Sequence, residues 1–115
     1  MEETNTGKKE PLMIARVNKL RQAMKKNNIS AFLVTSPYNL RYLTNFTGTT
    51  GLAVITLDKA FFITDFRYTE QAAEQAQGYK IIKNVGHIFD DVADLVEREQ
   101  VDNVAFEEAH VSFAE

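Results

Sequence analysis

Residues 36–48 read SPYNLRYLTNFTG, and this stretch decides where the first strand ends and which element comes next. The preceding residues 31–35 are a short apolar run, as expected of a buried strand. Ser36 is a favourable N-cap residue and Pro37 suits the first helical position, so a short helix is predicted over 38–44. The small residues after it predict a loop. An apolar strand that leads into a capped helix is typical of an α/β fold.

A second informative stretch, FITDFRYTE at residues 62–70, joins a buried strand to a helix predicted over 65–77. In open α/β sheets, ligands bind beyond the carboxyl ends of the strands. Arg67 could therefore hold the carboxylate of a ligand, or it could pair with Asp65. The alternative interpretation is structural: Asp65 caps the helix, Arg67 braces it, and Tyr42 and Tyr68 belong to the core.

Apolar periodicity extends this pattern along the rest of the chain. Apolar side chains at three- and four-residue spacing predict further helices over 12–27 and 88–99. The strands are predicted at residues 31–35, 52–56, 61–64, 79–83 and 104–106. The short Asp58-Lys59 turn makes the second and third strands an antiparallel hairpin. The sequence therefore predicts an α/β fold, with a mixed β-sheet flanked by helices. Eight side chains are expected in its core: Ile14, Val17, Phe32, Val34, Val54, Ile63, Leu95 and Val104.

The composition of the 115-residue chain excludes several classes of protein. Cysteine is absent, which excludes disulfides, a thiol nucleophile and a cysteine-bound zinc. The two histidines lack the spacing of metal-binding motifs, and no phosphate-binding glycine loop or nucleophile elbow is present. No apolar run is long enough to cross a bilayer, and the polar start is unlike a signal peptide. We therefore expect a cytoplasmic protein that does not bind membranes and whose chain carries no catalytic or metal-binding residue.

Charge is unevenly distributed along the chain. Thirteen basic and sixteen acidic residues give a net charge of −3, which argues against binding to nucleic acid. Residues 1–57 carry eight basic and three acidic side chains, whereas residues 58–115 carry five and thirteen. One interpretation is a bipolar molecule that docks a partner through one face. The other is a pair of solvated helix faces of opposite charge.

Two motifs in the chain resemble those of a known family. They are N-x-x-Y-L-T-x-F, formed by Asn39, Tyr42, Leu43, Thr44 and Phe46, and T-D-x-R-Y, formed by Thr64, Asp65, Arg67 and Tyr68. With the order of the elements, they resemble the N-terminal domain of the Xaa-Pro aminopeptidase, prolidase and creatinase group. The resemblance covers residues 12–115 and leaves residues 1–11 as a mobile N-terminal arm. Asn45 stands where many members have glycine, and asparagine also tolerates the left-handed conformation.

The resemblance implies a ribonuclease-H-like α/β fold and a domain that is not itself catalytic. Hydrolysis would reside in a following pita-bread domain, absent from these residues, whose Asp, Asp, His, Glu and Glu ligands hold two divalent metal ions, manganese or cobalt. The N-terminal domain would shape the substrate pocket and the dimer interface of a cytoplasmic Xaa-Pro peptidase. The implied substrate-binding residues are Asn39, Arg41, Tyr42 and Arg67. The implied partners are the C-terminal catalytic domain, a second copy in a homodimer and a proline-containing peptide.

Two other functions stay open at this point. The same pair of domains occurs in pseudoenzymes that bind proteins, so the chain could be a non-enzymatic interaction module. The other alternative is a creatinase-like hydrolase of a different C–N bond. The presence or absence of the five metal ligands downstream would separate a peptidase from an interaction module. Ser112-x-x-Glu115 is a capping-box pattern that marks a helix start, so we expect the domain to be truncated at its C-terminal end.

Overall fold

The computed structural model describes residues 12–48 and 50–107, and its elements follow one another in a largely alternating order. They are α1 (Leu12–Lys26), β1 (Ala31–Val34), α2 (Pro37–Thr44), β2 (Leu52–Thr56), β3 (Ala60–Thr64), α3 (Thr69–Gln75), β4 (Lys80–Lys83), α4 (Ile88–Arg98) and β5 (Val104–Phe106). The expected N-terminal arm and the capping box near the C-terminus lie outside the described residues.

The five strands form one mixed sheet in the order β4-β3-β2-β1-β5. Strand β2 is antiparallel to both of its neighbours, which confirms the predicted hairpin with β3. The β1–β5 and β3–β4 pairs are parallel. Strands β1, β3, β4 and β5 therefore all end at one edge of the sheet, which we call the carboxyl edge. At the opposite edge, the Thr56 hydroxyl accepts a hydrogen bond from the Lys59 amide at 2.9 Å and closes the hairpin turn.

Helices cover both faces of the sheet, as the sequence predicts. Helices α1, α2 and α3 pack against Phe32, Ile55 and Phe62 on one face. Helix α4 packs through Val92 and Leu95 against the other face. The mixed α/β architecture flanked by helices is thereby confirmed. None of the helices in the described part of the chain is long and apolar enough to cross a membrane.

Six of the eight side chains expected in the core are buried, and two are only half-buried. The two exceptions are Ile14 and Val104. Ile14 lies in the first turn of α1, and Val104 belongs to β5, a strand at the margin of the sheet with one neighbour only. Positions at the end of a helix and at the margin of a sheet are covered from fewer sides than central ones.

The helix predicted over 65–77 is shorter in the structure, which is a correction to the sequence analysis. Helix α3 begins only at Thr69, because residues 65–68 form a turn in which the Tyr68 amide donates to the Asp65 carbonyl at 3.0 Å. Asp65 is therefore not the N-cap: Tyr68 occupies that position, without a side-chain capping bond. At the other end, the chain leaves the helix after Gln75 and reaches the positive φ of Gly78.

Candidate functional site

Both motif segments lie at the carboxyl edge of the sheet. Strand β1 leads directly into α2, which carries the first motif, and β3 leads into the turn that carries the second. Strand β2 separates β1 from β3 in the sheet. The two segments therefore share one edge of the fold, where ligands bind in open α/β sheets.

Helix α2 is capped at both ends by the residues that the sequence predicts. The Ser36 hydroxyl accepts a hydrogen bond from the backbone N–H of Asn39 at 3.2 Å, and Pro37 occupies the first turn. Asn45 ends the helix in the left-handed conformation, with a φ angle of 68°. Its backbone N–H donates a hydrogen bond to the Arg41 carbonyl. Asparagine thus adopts at this position the backbone that glycine most readily provides.

The first predicted site residue, Asn39, is fully buried and faces the interior rather than the surface. Its side-chain amide donates to Oε2 of Glu107 at 2.7 Å. The other carboxylate oxygen of Glu107 accepts hydrogen bonds from the amides of Thr35 and Ser36 and from the Thr35 hydroxyl. Glu107 directly follows β5, so a single carboxylate ties the margin of the sheet to the start of α2.

The end of α2 is anchored by a second long-range contact. The Tyr79 hydroxyl donates to the Leu43 carbonyl at 2.7 Å, and burial raises the pKa of Tyr79 well above its ordinary value. The phenol therefore stays protonated and donates this bond throughout the physiological pH range. Because α2 is held at its start by Glu107 and at its end by Tyr79, its outer face has a fixed position.

That outer face forms one wall of an open cavity of about 620 Å³. The predicted site residues Arg41 and Tyr42 both line it, together with Arg16 from α1. Arg16 donates to the Tyr42 carbonyl at 3.0 Å, and its guanidinium lies 4.2 Å from the centre of the Tyr42 ring. Tyr38 adds exposed aromatic surface to the cavity, whereas Phe46, which also lines it, is almost completely buried. The structure thus brings two of the four predicted substrate-binding residues into one cavity.

The fourth predicted residue, Arg67, is engaged by Asp65. Its Nε and Nη2 atoms donate to the two oxygens of the Asp65 carboxylate at 3.1 and 2.7 Å. These hydrogen bonds hold the pKa of Asp65 below its ordinary value. The pair sits in the exposed turn after β3, and Arg67 does not line the cavity that Arg41 and Tyr42 share. This geometry matches the bracing interpretation of Arg67.

Tyr68 nevertheless connects the Arg67 turn to the cavity wall. Its ring meets that of Phe46 edge-on, with centroids 5.9 Å apart, and Phe46 packs on Phe62 at 4.6 Å. Gly48 fits beside this cluster because it lacks a side chain: a Cβ there would lie 2.3 Å from the Phe46 ring. The two motifs therefore meet through aromatic packing.

Comparison with known proteins identifies this arrangement. The sequence model of the Creatinase/Prolidase N-terminal domain family matches residues 16–115. The chain belongs to this family. The resemblance drawn from the two motifs is confirmed, and so is the domain type.

Individual creatinase/prolidase relatives support the same assignment. The chain is 45% identical over 98 residues to the uncharacterized peptidase YqhT of Bacillus subtilis, covering 85% of this chain and 28% of that protein. The Xaa-Pro dipeptidase from Bacillus anthracis superposes with a TM-score of 0.81 at 38% identity, over 89% of this chain and 29% of the other. The N-terminal domain of the cytoplasmic peptidase PepQ from Mycobacterium tuberculosis gives a TM-score of 0.76 at 29% identity, over 85% and 76%. The chain therefore spans less than a third of the two full-length relatives.

Neither histidine of this creatinase/prolidase domain forms part of a metal site in the described residues. His87 caps α4, since its Nδ1 atom accepts a hydrogen bond from the Phe89 amide at 3.3 Å, and His110 lies outside the described residues. No three His, Asp or Glu side chains within residues 12–48 and 50–107 are grouped closely enough to hold a metal ion.

Glu107 is the residue of this region that sequence reasoning missed. Asn39 belongs to a motif and could be singled out, whereas Glu107 follows 68 positions later and belongs to no motif. Only the pairing of β1 with β5 brings the two side chains together. The only hint in the sequence is that a carboxylate directly follows the last predicted strand. A single sequence does not show which side chain this carboxylate binds.

The Asp65–Arg67 pair predicts a pH-dependent stability. Because the folded pKa of Asp65 lies below its ordinary value, the pair contributes stability above about pH 4 that is lost as the pH falls through the folded pKa. Arg67→Ala should therefore lower the melting temperature more at neutral pH than in acid, where Asp65 takes up a proton. Thermal melting at both pH values checks this. Arg98→Ala is the matched control, because it removes the exposed ion pair between Arg98 and Asp94, whose charged atoms lie 3.9 Å apart. Its effect on the melting temperature should differ less between the two pH values. An equal loss at both pH values would contradict the pairing.

Proposed function

We propose that this chain is the non-catalytic N-terminal domain of a cytoplasmic Xaa-Pro peptidase. The observation that carries the proposal is the agreement in fold and sequence with the Xaa-Pro dipeptidase from Bacillus anthracis, at 38% identity and a TM-score of 0.81. The cytoplasmic location is supported by the related N-terminal domain from Mycobacterium tuberculosis, which is described as part of a cytoplasmic peptidase. In this proposal the domain helps to form a homodimer and a pocket for a proline-containing peptide.

The chemistry of peptide hydrolysis is assigned to a domain that follows this one. The described residues offer no group of side chains suited to a divalent cation. The two metal ions, manganese or cobalt, would be held by Asp, Asp, His, Glu and Glu side chains of the C-terminal catalytic domain. The present domain would act on the substrate only by binding and orienting it.

The four site residues take different parts in this proposal. Arg41 and Tyr42 would contact the substrate, because they line the cavity at the carboxyl edge. Asn39 would not contact the substrate, since its side chain is buried. It would instead position α2 through its hydrogen bond to Glu107. Arg67 would act only if it exchanged Asp65 for a substrate carboxylate. Arg67→Ala would in that case raise KM by roughly 10- to 150-fold and leave kcat unchanged.

A chimeric enzyme tests the proposed function. In it, the present chain replaces the matching segment of the Bacillus anthracis Xaa-Pro dipeptidase, and hydrolysis of an Xaa-Pro dipeptide is measured with manganese. We expect metal-dependent cleavage, and Arg41→Ala in the chimera should raise KM by about tenfold with little change in kcat. The matched control is Arg98→Ala, an exposed arginine of α4, which should leave both constants unchanged. A folded, metal-loaded chimera without activity would overturn the proposal.

The isolated chain is expected to have no Xaa-Pro peptidase activity, with or without added manganese or cobalt. A catalytic metal site needs several converging ligands and an open coordination position. Release of proline from an Xaa-Pro dipeptide by the highly purified 115-residue chain should stay at the level of buffer. Metal-dependent cleavage that co-purifies with the chain through successive columns would refute this prediction.

A further inference from the structure

We propose that a groove between α1 and α2 docks an acidic helical segment of a separate protein. This α1–α2 groove has a volume of about 380 Å³ and adjoins the cavity that Arg41 lines, with Arg16 and Tyr42 as a shared wall. The proposal gives a role to the uneven charge of the chain and does not depend on the proposed peptidase function. Two properties of the groove carry it: an apolar floor and a basic rim.

The floor of the α1–α2 groove is apolar. It is formed by side chains from three elements and one connecting turn, namely Leu20 and Met24 of α1, Leu43 of α2, Phe32 of β1 and Ile29. Leu20 and Ile29 are only half-buried, so part of this apolar surface stays open to solvent. Apolar surface in a groove between two helices is the feature that receives the apolar face of an amphipathic helix.

The rim of the α1–α2 groove is basic. Helix α1 carries five basic and no acidic residues, and its Arg16 and Lys19 line the groove itself. Lys25 and Lys26 extend the positive charge to the last turn of α1. These three lysines are exposed, and none of them forms an ion pair with another residue in the described part of the chain. The complementary partner therefore carries acidic side chains on both sides of an apolar row.

The acidic half of this chain does not supply that partner. Helix α4 carries four acidic residues and one basic residue, but it packs through Val92 and Leu95 on the opposite face of the sheet. A second copy of the chain could offer only the charged outer face of α4, because these apolar side chains are buried in its own core. It would match the charge of the rim and leave the floor uncovered. A separate protein can supply both properties.

The concave shape favours a protein segment over a membrane surface. Helices that bind membranes insert their apolar side chains into the lipid. The apolar side chains Val17 and Met24 of α1 are instead buried in the core of the domain. A groove with an apolar floor therefore fits a helix with apolar side chains at three- and four-residue spacing.

Titration of the 115-residue chain with a designed peptide tests the proposal. The peptide has about 15 residues, with leucine at three- and four-residue spacing and glutamate at most other positions. The control peptide has the same composition, with the leucines spread around the helix. Fluorescence anisotropy of the labelled peptides measures binding. We expect the patterned peptide to bind at least about tenfold more tightly than the control, and its affinity to fall as salt is added.

Two matched pairs of variants locate the binding surface. Ala23→Glu adds a carboxylate at an exposed position of the groove and should weaken binding at least about tenfold, whereas Ala93→Glu, the same change on α4, should have almost no effect. Lys19→Glu should weaken binding roughly 3- to 10-fold and reduce its salt dependence, whereas Lys83→Glu on β4 should not. Thermal melting verifies that all four variants are folded.

Four results would overturn the proposal. The control peptide could bind as tightly as the patterned one, or Ala23→Glu could leave binding unchanged. Vesicles of phosphatidylserine and phosphatidylcholine could bind the chain more tightly than the peptide does, which would assign the basic surface to a membrane. Finally, the peptide could bind the isolated chain but not the active chimera. The groove would then be covered by the rest of the polypeptide rather than by a separate protein.

Discussion

Glu107→Ala is expected to destabilise the fold by about 2–4 kcal/mol and to lower the melting temperature by roughly 10 °C or more. The carboxylate accepts four hydrogen bonds, from the amides of Thr35 and Ser36, from the Thr35 hydroxyl and from Asn39. Alanine would leave the buried Asn39 amide without this acceptor. Four hydrogen bonds to one carboxylate are lost together, and one of their donors is buried, so the cost exceeds the net contribution of a single bond. Chemical and thermal denaturation of the 115-residue chain measure the loss.

A matched control and a compensating pair make this prediction specific. Glu97→Ala removes an exposed carboxylate from α4 and should change stability by less than about 0.5 kcal/mol. Glu107→Gln replaces one acceptor oxygen by an NH2 donor, which then faces either the Asn39 side-chain amide or the backbone amides of Thr35 and Ser36. Adding Asn39→Asp restores an acceptor there, and the double variant should be more stable than Glu107→Gln alone. If Glu107→Ala and Glu97→Ala lost equal free energies of unfolding, the hydrogen bonds to Glu107 would not hold α2.

Much of the fold could be predicted from local sequence patterns. The Ser36-Pro37 pair marks the start of α2, and the short turn before Ala60 gives the β2–β3 hairpin. These signals succeed because caps and tight turns are decided by neighbouring residues. The start of α3 could not be predicted in this way. Asp65 resembles a helix cap, but its carboxylate accepts instead from the amide and guanidinium of Arg67.

The candidate site was predictable only where it depends on one segment. Arg41 and Tyr42 are adjacent on α2, a helix that the sequence predicts, and the structure shows that both line one cavity. The burial of Asn39 depends on Glu107, which meets it only in the fold, whereas the pairing of Arg67 with Asp65 is one of the two alternatives that the sequence offers. Arg16 is the clearest case: it reaches the Tyr42 carbonyl from a helix 26 positions earlier. Such a contact requires the packing of α1 on α2, which periodicity does not specify.

The aromatic cluster between the two motifs predicts the second large effect. Phe46 is only 4% exposed and packs on Phe62 and Tyr68. Its ring also fills the space beside Gly48, where a Cβ would collide with it. Phe46→Ala would remove one ring from a packed core and leave a cavity that these rigid neighbours fill only in part. We expect a loss of about 3–5 kcal/mol in the free energy of unfolding.

Phe66→Ala provides a control with the same chemical change at a different degree of burial. Phe66 is 74% exposed in the turn between β3 and α3, so its loss should alter stability by less than about 0.5 kcal/mol. At about 4 °C per kcal/mol for a chain of this size, the melting temperatures of the two variants should differ by more than about 10 °C. Denaturant titration gives the same comparison independently of temperature. If the two variants melted together, Phe46 would not link the motifs, and the cavity wall would need another support.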